Sequence, residues 1–228
     1  TKALGRGDFQ HRLPPLSGGQ GQVELTDLGA AFNEMAEGLR RKELLQDSFG
    51  RYVSPEIAEM IFQSSAGPWL EATRREVTVL FVDIRGYTHY AEHTPPGVVI
   101  EMLNQFFGVA TEAIIRHGGF INKFLGDAIM ALFGALAVQP DQAHRAALAA
   151  LEIQSGVEKF NQARSAEGKD PIVIGIGINR GDVVAGSVGS AARMEYTVVG
   201  DAVNVASRLT SAAKAGEILI SRMALEPA

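Results

Sequence analysis

Two aspartates stand beside strand-like apolar segments and could do chemistry together. Asp83 interrupts the apolar segment EVTVLFVDI, and Asp127 follows Gly126 within HGGFINKFLGDAIMALF. A buried carboxylate costs several kcal/mol unless a cation or hydrogen-bond donors meet it. If the first strand pairs beside the hairpin that carries Asp127, the two carboxylates meet at a sheet edge, where they suit a pair of Mg²⁺ ions. Each also has a plainer interpretation, because Asp83 could cap a turn through Gly86 and Gly126-Asp127 could form a type I′ hairpin turn.

Two further groups of residues could bind an anionic ligand. The segment IRGYT follows Asp83, and the backbone N–H groups of such a loop before a helix can bind phosphate groups. On a helix predicted to begin near Asp201, Asn204 and Arg208 are four residues apart and share one face. They could hold a sugar oxygen and a phosphoryl group whose charge grows during reaction. The plainer interpretation of that face is a solvated helix surface.

The composition bounds the classes of function. In 228 residues we expect one domain, or one with a smaller attachment, and 46% apolar residues suffice for a core. The formal net charge is −5 and no long basic run occurs, so nucleic acid is not expected as a partner. The absence of cysteine excludes disulfide and thiolate chemistry.

The longest apolar run, Ala128 to Val138, is too short to cross a bilayer. Because the chain begins at Thr1 without methionine and in mid-pattern, we expect it to be a fragment. We also expect this fragment to be soluble.

From Thr73 onward, short strand patterns alternate with helical ones, which favours an α+β domain. HGGFINKFLGDAIMALF predicts a hairpin with its turn at Gly126-Asp127. Helices are predicted at about 96–116, 140–165 and 201–213. Strands are predicted at about 76–84, 119–124, 128–133, 172–179, 183–188, 194–199 and 217–221.

The first seventy residues have a different pattern. Residues 1–22 are rich in Gly and Pro, as in an extended connector. A 3-4 spacing then predicts one apolar helical seam, either in a coiled coil or in an amphipathic helix packed on its own domain. The seam consists of Leu25, Leu28, Phe32, Met35 and Leu39. Its phase is lost at Lys42 and Gln46, and a short helix is predicted from Ser54.

Residues 74–228 resemble the catalytic domain of the class III nucleotidyl cyclases, the adenylate and guanylate cyclases. The matching segments are LFVDIRGYT, GGFINKFLGDAIMALF, GIGINRGDVVAGSVGS and EYTVVGDAVNVASRL, in the family's order. The resemblance implies a ferredoxin-like βαββαβ domain, preceded by an N-terminal helical or coiled-coil segment. The upstream sequence resembles the C-terminal half of a HAMP linker. The expected organisation is a partial HAMP linker (1–42), a helical transducer (43–72) and a catalytic domain (73–228) that ends before the family's last strands.

Carried over position by position, the resemblance implies a metal site and a phosphate-binding loop. Two Mg²⁺ or Mn²⁺ ions are expected in each active site. The positions matching the metal ligands are Asp83, Ile84 and Asp127. The positions matching the phosphate-binding loop through its main chain are Ile84, Arg85, Gly86, Tyr87 and Thr88.

The same resemblance implies residues that bind the nucleoside. Lys123 matches the lysine that reads the purine, and Thr197 stands where many adenylate cyclases have an aspartate facing the adenine amino group. Asn204 and Arg208 match the pair that holds the ribose and stabilises the transition state. Lys123 can donate to adenine N1, and a threonine hydroxyl can accept from N6. ATP is therefore favoured over GTP. A threonine here also resembles a bicarbonate-responsive subclass, so bicarbonate is a further expected effector.

The implied activity is conversion of ATP to cyclic AMP and pyrophosphate. In the family, the metal aspartates come from one subunit and the purine- and ribose-binding residues from the other, so a homodimer with shared sites is expected. The HAMP resemblance implies an upstream sensor and transmembrane region, with this domain on the cytoplasmic side of the membrane. The alternatives are a guanylate cyclase and a catalytically silent, nucleotide-binding regulatory dimer. The chain differs from some family members at Gly175, where they have an arginine. This difference predicts less positive charge near the phosphate groups of the nucleotide.

Overall fold

The structure, a computed structural model, describes residues 30–41, 57, 71–190 and 193–226. The chain divides into two compact units, Thr1–Phe62 and Gln63–Ala228. The first unit contains helix α1 over residues 30–41, and the second contains the elements described below.

Helix α1 carries three residues of the predicted apolar seam. Phe32 is buried, whereas the exposed fractions of Met35 and Leu39 are 52% and 37%. Ala36, one turn after Phe32, is fully buried. The buried face of α1 therefore contains Phe32 and Ala36, which are four residues apart. Of the predicted seam residues on α1, Phe32 is buried and Met35 and Leu39 are exposed. The rest of that seam, its phase break and the helix predicted from Ser54 lie outside the described residues.

Within the described residues, the second unit is built on a six-stranded sheet with the order β2-β3-β1-β4-β5, and β6 pairs in parallel with β4. The other pairs are antiparallel. The strands are β1 (Thr73–Ile84), β2 (Phe120–Leu125), β3 (Ala128–Phe133), β4 (Ile174–Ser190), β5 (Arg193–Val199) and β6 (Ile218–Ile220). The helices are α2 (Tyr87–His93), α3 (Pro96–Arg116), α4 (Gln142–Ala166), α5 (Asp201–Ala212) and α6 (Arg222–Leu225). This order confirms the predicted α+β, ferredoxin-like βαββαβ fold.

The two faces of the sheet have different partners, and β4 shows why. Ile174, Ile176 and Ile178 alternate along β4 and enter the main core with buried residues of α3 and α4. The intervening residues face the other side, where α5 packs. A Cβ on Gly177 would overlap the main chain of α5, so glycine at this position permits a very close approach. Helix α5 is thereby fixed directly on the sheet.

The structure differs from the predicted elements in β4, in α2 and α6, and in one turn. The predicted strands at 172–179 and 183–188 are one strand, because residues 180–182 continue to pair with β1. Helices α2 and α6 were not predicted, since each is only one or two turns long. In the β2–β3 turn Gly126 has φ +67°, and no described non-glycine residue has positive φ. A type I′ turn needs positive φ at both central residues, so the turn instead has the φ signs of type II′.

One described helix, α3, is long and apolar enough by composition to cross a membrane. Its apolar residues are interrupted by polar ones, so it is not among the long apolar runs of the sequence. Met102, Phe106 and Ile114 on this helix are buried in the main core of the second unit. Its apolar composition is therefore that of a core helix.

Candidate active site

The carboxyl groups of Asp83 and Asp127 lie together, as the sequence predicted. Asp83 is the second-to-last residue of β1, and Asp127 lies in the two-residue turn between β2 and β3. Because β1 pairs with β3 up to Val82 and Ile129, the end of β1 adjoins this turn. The Asp127 carboxyl is within hydrogen-bonding reach of Asp83, and it accepts a hydrogen bond from the N–H of Ile84.

The electrostatics of this pair call for a cation. Burial, and after it the negative charge of Asp83, together raise the pKa of Asp127 from 3.8 to about 6. Hydrogen bonds from the main-chain N–H groups of Asp127 and Ile84 act in the opposite direction. Two adjacent carboxylates supply the oxygen ligands that hard cations such as Mg²⁺ or Mn²⁺ prefer. The residues present therefore fit the expected divalent cations.

The side chain of Arg85 forms an ion pair with Asp83. Its Nη1 lies 2.8 Å from Asp83 Oδ2, and its Nη2 donates to the carbonyl oxygen of Thr210 in α5. The Asp83 and Arg85 side chains are only 31% and 23% exposed, so the pair is shielded from water. Only the main chain of Arg85 was predicted to belong to a site, so this role of its side chain was missed.

Glycine at position 175 makes the Arg85 arrangement possible. Gly175 is the direct partner of Asp83 across β1 and β4, so the two positions share one face of the sheet. A Cβ on Gly175 would overlap the guanidinium of Arg85. Glycine at position 175 therefore leaves the space that the Arg85 guanidinium occupies.

The loop after β1 is more restricted as a phosphate site than the sequence suggested. The N–H of Ile84 donates to Asp127, and the N–H of Arg85 donates to the carbonyl oxygen of Val173 at 2.7 Å. Gly86 has φ +74° and precedes α2, whose first turn is closed by the Tyr90 N–H bonding to the Gly86 carbonyl oxygen at 3.1 Å. The first amides of a helix have no partner within it. Of the five predicted loop residues, Gly86, Tyr87 and Thr88 thus offer the better-placed N–H groups.

The predicted purine-binding residues are brought together by β2 and β5. Lys123 Nζ lies 2.6 Å from Glu195 Oε1. The Thr197 hydroxyl lies 3.2 Å from Asn122 Oδ1, and Asn122 Nδ2 donates to the main-chain oxygen of Tyr196 at 2.9 Å. Asn122 and Lys123 are neighbours in the chain at a β-bulge, which begins after Ile121. Lys123 and Thr197 therefore flank the same small cluster.

The Asn122 contacts determine which way the Thr197 hydroxyl points. The Tyr196 carbonyl oxygen can only accept, so the Asn122 amide must place its nitrogen there and its oxygen toward Thr197. A hydroxyl has a single hydrogen, which Thr197 donates to Asn122. The Thr197 oxygen is then left as an acceptor for any ligand. Asn122 and Glu195 were not among the predicted site residues. The sequence signal for Asn122 was its position directly before Lys123 in a predicted strand.

Asn204 and Arg208 both lie exposed on α5, one turn apart, as predicted. The helix that carries them is held by Asn179 Nδ2, which donates to the Ala202 carbonyl oxygen at 2.9 Å, and by the close packing at Gly177. Within one chain, Lys123 pairs with Glu195, whereas Asp127 contacts Asp83. The described contacts thus form two separate sets, one around the two aspartates and one around Lys123 and Thr197.

Comparisons with known proteins agree with this geometry. Residues 71–226 match the family described as the Adenylate and Guanylate cyclase catalytic domain, and residues 1–41 match the HAMP domain. An uncharacterized protein of Mycobacterium tuberculosis, Rv1319c, is 38% identical over 213 residues, which are 93% of this chain and 37% of that protein. The chain thus spans a little over a third of the length of this curated relative.

Solved structures of both nucleotide specificities are similar to the chain. The guanylyl cyclase Cya2 is 42% identical with a TM-score of 0.66, over 68% of this chain and 79% of that chain. The adenylyl cyclase CyaB from P. aeruginosa is 37% identical with a TM-score of 0.66, over 68% of this chain and 81% of that chain. Similarity to these structures therefore does not distinguish ATP from GTP as the substrate, and that choice depends on the residues of the site. On its matched residues, its fold and its paired aspartates, the chain belongs to the adenylate and guanylate cyclase catalytic domain family.

Proposed function

We propose that this chain is the output domain of an adenylate cyclase that converts ATP to 3′,5′-cyclic AMP and pyrophosphate. Two copies form a homodimer, and each active site takes its metal-binding residues from one copy and its nucleoside-binding residues from the other. The observation that carries the choice of ATP is the Thr197 hydroxyl, which Asn122 turns into an acceptor near Lys123.

The donor and acceptor pattern of this cluster matches adenine. Adenine has an acceptor at N1 and a donor at the N6 amino group. The Lys123 ammonium can only donate, so it suits N1, and the Thr197 oxygen accepts from N6. Guanine has a donor at N1 and an acceptor at O6, which would face the wrong partners in this arrangement. Leaving such groups unpaired costs about 1–3 kcal/mol each, which is enough for purine choice.

One observation favours a second candidate, a guanylate cyclase. The Glu195 carboxylate lies against Lys123 and is 53% exposed on its side chain. A carboxylate could accept from the N1–H and the amino group of guanine while Lys123 donates to O6. In the ATP proposal, Glu195 instead orients the Lys123 ammonium in the absence of nucleotide.

The reaction requires little from side chains beyond positioning and charge. Asp83 and Asp127 would hold two divalent cations, which lower the pKa of the ribose 3′-hydroxyl and neutralise the triphosphate. The N–H groups of Gly86, Tyr87 and Thr88 would bind phosphate oxygens at the start of α2. The 3′-oxygen attacks the α-phosphorus as its proton passes to water, and the bond from the α-phosphorus to pyrophosphate breaks, so that pyrophosphate leaves with its electron pair.

The partner copy completes this site through α5. Asn204 orients the ribose, and the Arg208 guanidinium meets the charge that grows on the reacting phosphoryl group. Both side chains are exposed on one face of α5, and so are accessible to a nucleotide held mainly by another copy. Tight packing of α5 on the sheet keeps this pair at a fixed position, as pre-organised catalysis requires.

The HAMP match supports a role in signal transduction. We infer that an upstream sensor and a transmembrane segment precede this chain in the full-length protein, with the catalytic domain on the cytoplasmic side. The boundaries 1–42, 43–72 and 73–228 are our proposed division of the chain. Bicarbonate is proposed as an effector from the threonine-type subclass, and a rise in cyclase rate with bicarbonate at constant pH would support it.

Product identification tests the proposed function. The purified chain is incubated with ATP or GTP and with Mg²⁺ or Mn²⁺, and the cyclic product is identified by mass spectrometry. We expect cyclic AMP to dominate at equal substrate concentrations. Predominant cyclic GMP would favour the second candidate, and nucleotide binding without any cyclic product would favour the silent regulatory dimer.

Matched variants test the account of purine choice. Thr197→Val removes the acceptor and should lower kcat/KM for ATP about fivefold, the effect of one neutral hydrogen bond, whereas Thr197→Ser should retain most of the activity. Lys123→Glu combined with Thr197→Cys should lower ATP use and admit GTP. Equal ATP turnover in that double variant would contradict the proposed roles of both residues.

A further inference from the structure

The outer face of α2 carries a cluster of metal-ligating side chains outside the site described above. His89, Glu92 and His93 are three exposed residues at positions i, i+3 and i+4 of this helix. One potential ligand atom from each lies within 4.8 Å of those from the other two. The histidine rings have centroids 4.3 Å apart. The three side chains therefore share one patch of surface.

The opposite face of α2 fixes the direction of this cluster. Tyr87 and Tyr90 are partly buried and pack against the main core, and the Arg164 guanidinium lies 6.0 Å from the centre of the Tyr90 ring. With this face anchored, the cluster on the other face points to solvent. Its ligands are thus held on one turn of an oriented helix.

One hydrogen bond prepares His93 as a ligand. His93 Nδ1 lies 2.8 Å from the main-chain oxygen of His89, and because a carbonyl oxygen only accepts, Nδ1 carries the proton. In the neutral ring, Nε2 then has a free lone pair. Metal-binding histidines usually donate their second ring nitrogen to a carbonyl or carboxylate in this way. The bond sets both the tautomer and the ring orientation.

We propose that His89, Glu92 and His93 bind one borderline divalent transition-metal ion of the Zn²⁺ type, with solvent completing the coordination. Bond lengths of about 2.0–2.2 Å place tetrahedral ligand atoms about 3.3 Å apart, so the exposed side chains need to close by up to about 1.5 Å. Two imidazole nitrogens and one carboxylate favour Zn²⁺ over Mg²⁺. The cluster is thereby chemically distinct from the all-oxygen pair Asp83 and Asp127.

Occupancy of this site would act on the neighbouring loop. Helix α2 has seven residues and begins at Tyr87, inside the segment proposed to bind phosphates. Helices this short are marginal without tertiary support. A cation that links successive turns of α2 opposes its unwinding and so orders the first-turn amides that precede the cluster.

Calorimetric titration with Zn²⁺ tests the binding site. The purified chain carries Asp127→Asn to weaken the oxygen site, and the buffer contains excess Mg²⁺. One Zn²⁺ should bind, and His93→Asn should weaken it at least about tenfold, as loss of even an outer partner of a metal ligand does. His144→Asn changes another exposed histidine and should leave the titration unchanged. Unaltered Zn²⁺ affinity in the folded His93→Asn variant would overturn the proposal.

Two measurements keep the proposal testable without that variant. Hydrogen exchange of the unsubstituted chain should show slower exchange in residues 87–93 when Zn²⁺ is added, and unchanged exchange there counts against the site. Electron paramagnetic resonance with Cu²⁺ as the probe should show coupling to imidazole nitrogens, whereas oxygen ligation alone would contradict the assignment. None of these readouts depends on the cyclase reaction, so they can fail while the proposed function stands.

Discussion

Replacing Arg85 by Gln should tighten the binding of divalent cations in the absence of nucleotide. Arg85 neutralises Asp83 across 2.8 Å, in the place where the cations are proposed to bind. A cation that arrives must either displace this guanidinium or tolerate its positive charge. Without Arg85, no other cationic side chain among the described residues forms an ion pair with Asp83 or Asp127, so the arriving cation meets no described competitor.

The burial of the pair sets the size of this effect. Exposed ion pairs contribute about 0–1 kcal/mol, and breaking fully buried ones costs about 3–5 kcal/mol. With side chains 23% and 31% exposed, the Arg85–Asp83 pair falls between these limits, at about 1–2 kcal/mol. The Arg85→Gln variant should therefore bind Mn²⁺ about 5- to 30-fold more tightly.

Binding of Mn²⁺ is followed by the loss of its free electron paramagnetic resonance signal, at pH 8 so that Asp127 is ionised. Arg85→Lys is the matched control, because it keeps the charge but loses the fork that reaches Thr210. It should bind Mn²⁺ with an affinity closer to the unsubstituted chain. Equal or weaker Mn²⁺ binding by a folded Arg85→Gln variant would refute the competition between Arg85 and the metal.

Substitutions at Gly175, Asp127 and Gly177 should each have a measurable effect. Gly175→Ala places a methyl group against the Arg85 guanidinium and should tighten Mn²⁺ binding in the same direction as Arg85→Gln; an unchanged affinity would count against the role of this glycine. Because the pKa of Asp127 is raised to about 6, the metal-free folded state binds more protons than the unfolded state between pH 4 and 6, so its free energy of unfolding should fall as the pH rises through that range. Asp127→Asn should flatten that dependence in urea titrations, and a dependence that persists would contradict the assignment. Gly177→Ala pushes α5 off the sheet and should lower the unfolding free energy by about 1–3 kcal/mol in the same assay, whereas an unaffected midpoint would mean that α5 is not tightly packed there.

Local sequence patterns predicted the elements that carry the site. The apolar segment that contains Asp83 and the Gly126-Asp127 turn were enough to predict a strand and a hairpin, whereas the meeting of the two carboxylates was expected only if that strand paired beside the hairpin. The spacing of Asn204 and Arg208 likewise predicted their common helix face. These features depend on residues close together in the chain.

The features that were missed depend on contacts distant in sequence. The role of Gly175 requires the register that places it opposite Asp83, and no local pattern reveals that register. The hydroxyl orientation of Thr197 depends on Asn122 in a different strand. Strand β4 was divided in two because Gly181 and its polar neighbours look like a turn, yet pairing with β1 keeps them extended.

The most direct test of the shared active site is a mixing experiment with two inactive variants. Asp83→Asn removes a proposed metal ligand, and Arg208→Ala removes the proposed transition-state contact from the partner copy. Each homodimer then lacks an intact site, whereas a mixed dimer has one unaltered site. After subunit exchange in an equal mixture, we predict about a quarter of the cyclase rate of the unsubstituted protein. A rate no higher than the average of the two separate variants, with mixed dimers present, would contradict the account.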